Sequence, residues 1–219
     1  ILMSETSHKA ASHTLREIAS WQPGRGSADS DLLPELSTMV ARSRDLSRNH
    51  GIAAGAMQTL TDNIVGTGFR LSVKPDYKAL GKSKEWEEEW QIKVEGLWRS
   101  WAESFNCDAG RSLNFQGLTT QIFKSCLING EALALALWLP DRDFATTLQL
   151  IEPDRLSNPQ NGCDSKNMRG GVEIDKFGAP IAYHIQTEHP GDYWSKTPIW
   201  QRIPAFTSFG RRRVLHVHD

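Results

Sequence analysis

The residues best suited to holding a metal ion or activating water stand at the end of the chain, where His216 and His218 are followed by Asp219. Alternate residues of a strand face the same side, so two imidazoles at this spacing point together, and with the carboxylate they would make the start of a ligand set. A metal centre or a hydrolase needs more, and no other stretch carries ligands at metal spacing, so the same pair also reads as two ordinary strand histidines. Glu152 and Asp154 are a second pair with the right chemistry for general acid and base, but they flank Pro153, and a turn accounts for them. No nucleophile elbow, phosphate-cradling glycine loop or paired cysteine motif occurs. The residues thus offer no assigned catalytic, metal-binding or cofactor-binding position.

Charge offers two further candidates. Arg211, Arg212 and Arg213 form the sharpest basic run, and Arg42, Arg44 and Arg48 lie at helical spacing. Either group could meet phosphates or an acidic neighbour; a solvated face is the plainer alternative. Lys+Arg 25 against Asp+Glu 26 gives a formal charge of −1 over 219 residues. A protein that grips nucleic acid tightly through phosphates usually shows a basic excess, so static binding of that kind is not suggested. The three cysteines, Cys107, Cys126 and Cys163, are too few and too widely spaced for a disulfide framework and read as free thiols. No apolar run reaches the ~18 residues of a membrane span, and the first eleven residues lack the apolar core of a signal peptide.

These groups need elements to position them. Residues 12–30 hold Pro23, Gly24 and Gly26 around a lone Trp21 and read as an irregular arm, which sets a first segment at 1–31. From Leu32 apolar residues recur at steps of three and four through Ile64, as in one long helix or a broken one, with Gly51 and Gly55 the expected weak points. Gly66 and Gly68 should stop it, and Phe69, Leu71 and Val73 then alternate with polar residues as a strand would. A second helix over 85–105 carries Trp86, Trp90, Trp98 and Trp101 on one stripe, with Glu85, Glu87, Glu88 and Glu89 crowding its start, where negative charge suits the helix dipole. That stripe reads as core or subunit contact and implies no cofactor. Asn114 can cap a third helix ending at Gly130. Periodicity then changes from 3.6 to 2: residues 132–139, 148–151, a hairpin of 172–175 with 181–186, and edges at 202–203 and 214–217. The expectation is an α+β fold, with a helical portion at 32–131 whose long helices pack on a small mixed or antiparallel sheet or barrel at 132–219.

Taken in order, several stretches resemble the lambda-type phage portal family, from about Leu32 to the last residue. Ala41, Arg42, Arg44, Leu46, Arg48 and Asn49 are similar to that family's A-R-x-R-x-L-x-R-N helix, and Asn63, Val65, Gly66, Gly68 and Leu71 to its N-x-V-G-x-G-x-x-L exit. Trp98 and Trp101 followed by Asp108, then Asn129-Gly130-Glu131, then residues 150–156 (L-I-E-P-D-R-L) and 171–175 (G-V-E-I-D) ahead of Gly178 and Tyr183, continue the series.

The resemblance implies a non-enzymatic subunit of a twelve-membered ring at one capsid vertex, through which double-stranded DNA enters and leaves the virion. It also implies partners: the terminase motor, head-completion or connector proteins, the major capsid or scaffold protein, and other copies of the chain. The family's longer chains continue into stem, clip and crown, so the stretch corresponds to the first part of the outer wing, and DNA contacts fall largely outside it. A near-neutral chain suits a channel that must release DNA as readily as it admits it. Within the stretch, Arg42, Arg44 and Arg48 are candidates to meet an acidic cluster, Glu85, Glu88 and Glu89, of a neighbouring subunit. Two other classes stand beside this one: an assembly adaptor that binds a partner through its aromatic helix, and a hydrolase using His216, His218 and Asp219.

Overall fold

A computed structural model describes residues 9–194 and 197–218. The chain separates into two units, residues 1–36 and 37–219. In the first, a short 3-10 turn at Lys9–Ala11 is followed by a turn in which Ala19 N–H donates to the Leu15 carbonyl at 2.8 Å, and helix α1, Ala28–Asn49, begins inside the stretch expected to be irregular.

The second unit starts within α1. The backbone breaks at His50, whose extended conformation makes it the N-cap of α2, Gly51–Ile64; its ring Nδ1 accepts from the Ala53 N–H. The long apolar pattern is thus two helices, broken just before Gly51, while Gly55 lies within an unbroken turn. After the positive-φ residues Gly66 and Gly68, residues 69–76 form no strand, which corrects the expectation for Phe69, Leu71 and Val73. The reason is the lack of a partner strand: the Val73 N–H donates instead to the Glu95 carboxylate at 3.0 Å, which ties the segment along helix α3, Lys84–Ala102. Ser83 caps α3 through the Trp86 N–H, and Phe105 falls beyond its end in a 3-10 turn. Helix α4, Phe115–Asn129, is capped by Asn114 and closed by Gly130 at φ 80°.

Among the described residues the strands form two antiparallel sheets and no closed barrel. The first has the order β2 (Thr146–Ile151), β1 (Glu131–Trp138), β7 (Val214–His218); the second runs β3 (Met168–Arg169), β4 (Val172–Ile174), β5 (Pro180–Gln186), β6 (Trp200–Pro204). Residues 202–203 and 214–217 therefore extend different sheets rather than one. Both sheets contribute to one core of Leu133, Leu135, Ile151, Tyr183, Ile185, Ile203, Ala205 and Val214. Residues 132–135 are buried on both faces, which is why β1 is continuously apolar: its leucines join this core, and α4 packs on the strand beside the small Ala132 and Ala134. The α+β architecture is as the periodicity predicts, with α4 the helix that lies on the sheet and α2 packed in turn on α4. Helix α3 reaches the same layer through its tryptophans. Trp98 and Trp101 enclose Phe115 at 5.0 and 5.5 Å, and Trp101 Nε1 donates to the Thr146 carbonyl at 2.8 Å.

Candidate functional site

Some of the polar groups that the sequence singles out, Arg44, Asn129, Glu131, Asp154 and His216, converge on one junction. Arg44 projects from α1 and donates through both terminal nitrogens to the Asp154 carboxylate, at 3.0 and 2.5 Å, while its Nε donates to Asn129 Oδ1 at 2.9 Å. Asn129 is the last residue of α4, and its amide nitrogen donates to Ser125 Oγ, whose hydroxyl donates to the Glu131 carbonyl. Two residues beyond Asn129, the Glu131 carboxylate meets His216 Nε2 at 2.6 Å, locking β1 to β7. Asn129, Gly130 and Glu131 therefore divide the work of the corner. The first bonds α1, the second turns the chain in the left-handed region, and the third bonds β7.

Burial acts to raise the Asp154 carboxyl, but the two hydrogen bonds and the charge of Arg44 outweigh it and hold the group below its ordinary value. The hydrogen bonds that Arg44 donates to Asp154 in turn raise its guanidinium. His189 Nε2 also lies near this carboxylate, 3.6 Å from the Oδ2 that Arg44 contacts. A forked guanidinium on a carboxylate is the geometry in which arginine differs most from lysine.

The segment that holds Asp154 also joins the two sheets. Arg155 donates to the Gln186 and Thr187 carbonyls at 2.8 Å each, and Leu156 bridges to Ile185 of β5. Gly171 sits against it: at φ 83° a side chain is strained, and a Cβ there would lie 2.6 Å from the Ser157 backbone nitrogen. Glu173 takes the Arg202 guanidinium and His184, and the hydrogen bond from Arg202 is the main cause of its lowered carboxyl. Asp108, nearly buried, accepts from the N–H groups of Gly110, Ser112 and Leu113 at 2.9–3.1 Å, closing the loop before α4.

Of the expected contact residues, Arg44 is thus engaged within its own chain, and Arg48 Nε donates to the Arg44 carbonyl while its side chain remains exposed. Arg42, Glu85, Glu88 and Glu89 are exposed, with Lys84 near Glu88 at 4.0 Å. The His216 and His218 rings lie tilted to one another with centroids 4.7 Å apart, and His216 is bonded to Glu131; Asp219 lies outside the described residues. Among the described residues no three His, Cys, Asp or Glu side chains form a group fit to hold a metal. Glu152 and Asp154 do not act as a pair, since Asp154 faces Arg44 and His189. The Arg44–Asn129–Asp154 junction could not be read from the sequence, because Asn129 and Asp154 stand 85 and 110 positions from Arg44; only their shared presence in the ordered motif series pointed toward it.

The arrangement is one of polar clamps between layers, with no nucleophile, base or open ligand set assembled by the motif residues. Residues 14–219 match the model of the phage portal protein, lambda family. The chain is 36% identical over 208 residues to the portal protein of Escherichia phage N15, covering 93% of this chain and 39% of that protein. Portal protein B of Escherichia phage lambda gives the same identity over 208 residues, with 93% and 38% covered. The probable portal protein of Halomonas phage phiHAP-1 is 29% identical over 186 residues, 82% of this chain and 35% of the relative. The chain thus spans about two fifths of the length of the first two relatives. A family match over residues 14–219, nearly the whole chain, shows that the chain belongs to the lambda family of phage portal proteins.

Proposed function

We propose that this chain is the wing portion of a portal subunit, twelve copies of which form a ring at one capsid vertex, the passage for DNA during packaging and ejection and the docking site for terminase and head-completion proteins. One observation carries the reading: the residues of the family motifs are spent on clamping α1, α4 and two sheets together, while the long helices leave apolar side chains outside. Met39, Leu46, Ile52, Ile64, Ile92 and Leu97 are each more than half exposed. A rigid body with apolar helix surface suits a component that is completed by neighbours, because exposed apolar area of this kind commonly marks an interface. In this reading 1–31 is a partner-clasping arm, 32–131 the helical part and 132–219 the β-rich part of the wing. Arg42, Arg48, Glu85, Glu88 and Glu89 belong to the contact between subunits, and Arg44 to the subunit's own frame. Chemistry during packaging is left to the motor, so the chain turns over no ATP, nucleic acid or peptide. No described helix is long and apolar enough to cross a membrane, and the setting proposed is the capsid vertex, assembled in the host cytoplasm. Capsids assembled without the protein should close but hold no DNA, and restoring it should restore filling; filled capsids in its absence would refute the proposal.

A further inference from the structure

Beyond the clamps, the described residues carry one groove whose chemistry asks for a partner. The ladder between β1 and β7 ends near Leu135 and Val214, and the Ala136 N–H donates to the Arg213 carbonyl as the strands part. The space beyond is an open groove of about 670 Å³, lined by Ala136, Leu137, Trp138, Phe209, Arg211 and Arg212 among others. Its rim is held in shape: the Thr207 N–H donates to the Arg211 carbonyl, the Arg211 N–H to Thr207 Oγ1, and Gly210 makes the turn at φ 83°. Arg211 lies over the Trp138 ring at 5.8 Å and Arg212 over the Phe206 ring at 4.9 Å. These contacts hold the guanidiniums against the rings; Arg211 also donates from a terminal nitrogen to Thr146 Oγ1 at 3.3 Å and is half-buried, so Arg212 is the one that stays exposed. Among the described residues neither forms an ion pair within the chain, while Trp138 is 63% and Phe209 77% exposed.

The same chain carries the complement. At the start of α3, Glu85, Glu88 and Glu89 are exposed, Lys84 lies 4.0 Å from Glu88, and Trp86 stacks on Trp90 at 5.9 Å. Acidic groups beside an exposed aromatic match arginines beside an apolar groove in both charge and polarity, whereas Arg42 and Arg48 offer charge alone on a helix flank. The two surfaces are different patches of one chain, so their contact is heterologous, the type that generates a ring when the rotation between neighbours closes and an open filament when it does not. Resting on the ring assembly proposed above, we propose that the acidic first turns of α3 in one copy seat in the Arg211–Arg212 groove of the next.

The test uses the protein at its natural length. Arg212→Glu alone, and Glu88→Lys with Glu89→Lys, should each raise the concentration needed for half-assembly by about tenfold, as expected when one desolvated charge pair at an interface is reversed. Combining all three should restore assembly, a rescue that a folding defect would not give. A protein with Glu88→Cys and Arg212→Cys, in a Cys163→Ser background, should form disulfide ladders running up to the ring. Single reversals without effect, absence of rescue, a disulfide closing within one chain, or ladders obtained with Arg42→Cys in place of Arg212→Cys would overturn the inference while leaving the ring intact. An unmodified protein that stays monomeric overturns it together with the ring.

Discussion

Replacing Arg44 by methionine isolates the central junction. The substitution keeps most of the aliphatic stem, so the loss is that of two hydrogen bonds to Asp154 and one to Asn129. An exposed ion pair contributes at most about 1 kcal/mol, and breaking a fully buried one costs about 3–5 kcal/mol. The Arg44 and Asp154 side chains are 29% and 27% exposed, between those limits, and His189 remains to face the carboxylate. A cost of about 2–3 kcal/mol at pH 7 follows, or about 4–12 °C in Tm for a domain of this size. The pH dependence fixes the cause. Asp154 is held below its ordinary value of 3.8 in the folded chain, so its contribution is complete above that value and is lost as pH falls through the lower, folded one. Urea unfolding of both proteins at pH 7 and again near pH 3 should therefore show the gap narrowing with acid. A difference under about 0.5 kcal/mol at pH 7, or one unchanged at low pH, would refute the assignment of the junction as an ionic clamp.

Other outcomes follow from the same frame. Gly171→Ala forces a Cβ toward the Ser157 backbone at a positive φ, and should lower stability by at least about 3 kcal/mol, readable as a fall in the urea midpoint. Cys107 is fully buried, and that burial pushes its thiol up to about 11, so at pH 8 a disulfide reagent should modify the exposed Cys163 first and reach Cys107 only on unfolding. The 219-residue stretch by itself should be monomeric or weakly associated, with association fading as salt is added, because the charge contacts proposed for it are screened within about 10 Å at 0.1 M; light scattering across a salt series decides it, and a salt-resistant dodecamer would place the ring-forming surface within this stretch.

How far the sequence could be read depended on whether a signal was local. The cap at Asn114, the stop at Gly130 and the hairpin around Gly178 are set by residues within a few positions of one another, and each lies where spacing predicts. Alternation at Phe69, Leu71 and Val73 was equally local but misleading, since a strand needs a partner that only tertiary structure supplies, and the backbone pairing there went to Glu95 instead. The division into two sheets was hidden for the same reason: nothing near 202–203 or 214–217 says which earlier strand each will join. The polar junction is more distant still. Arg44 looks like any cation on a helix flank until folding brings Asn129 and Asp154 to it, and this is why it stood beside Arg42 and Arg48 as a surface group.

The measurement that bears most directly on the proposed function is the mass of the natural-length protein in solution, by native mass spectrometry at low micromolar concentration. A ring of twelve subunits is expected. A monomer or a dimer that persists across concentration and salt would contradict the reading of this chain as the wing of a portal ring.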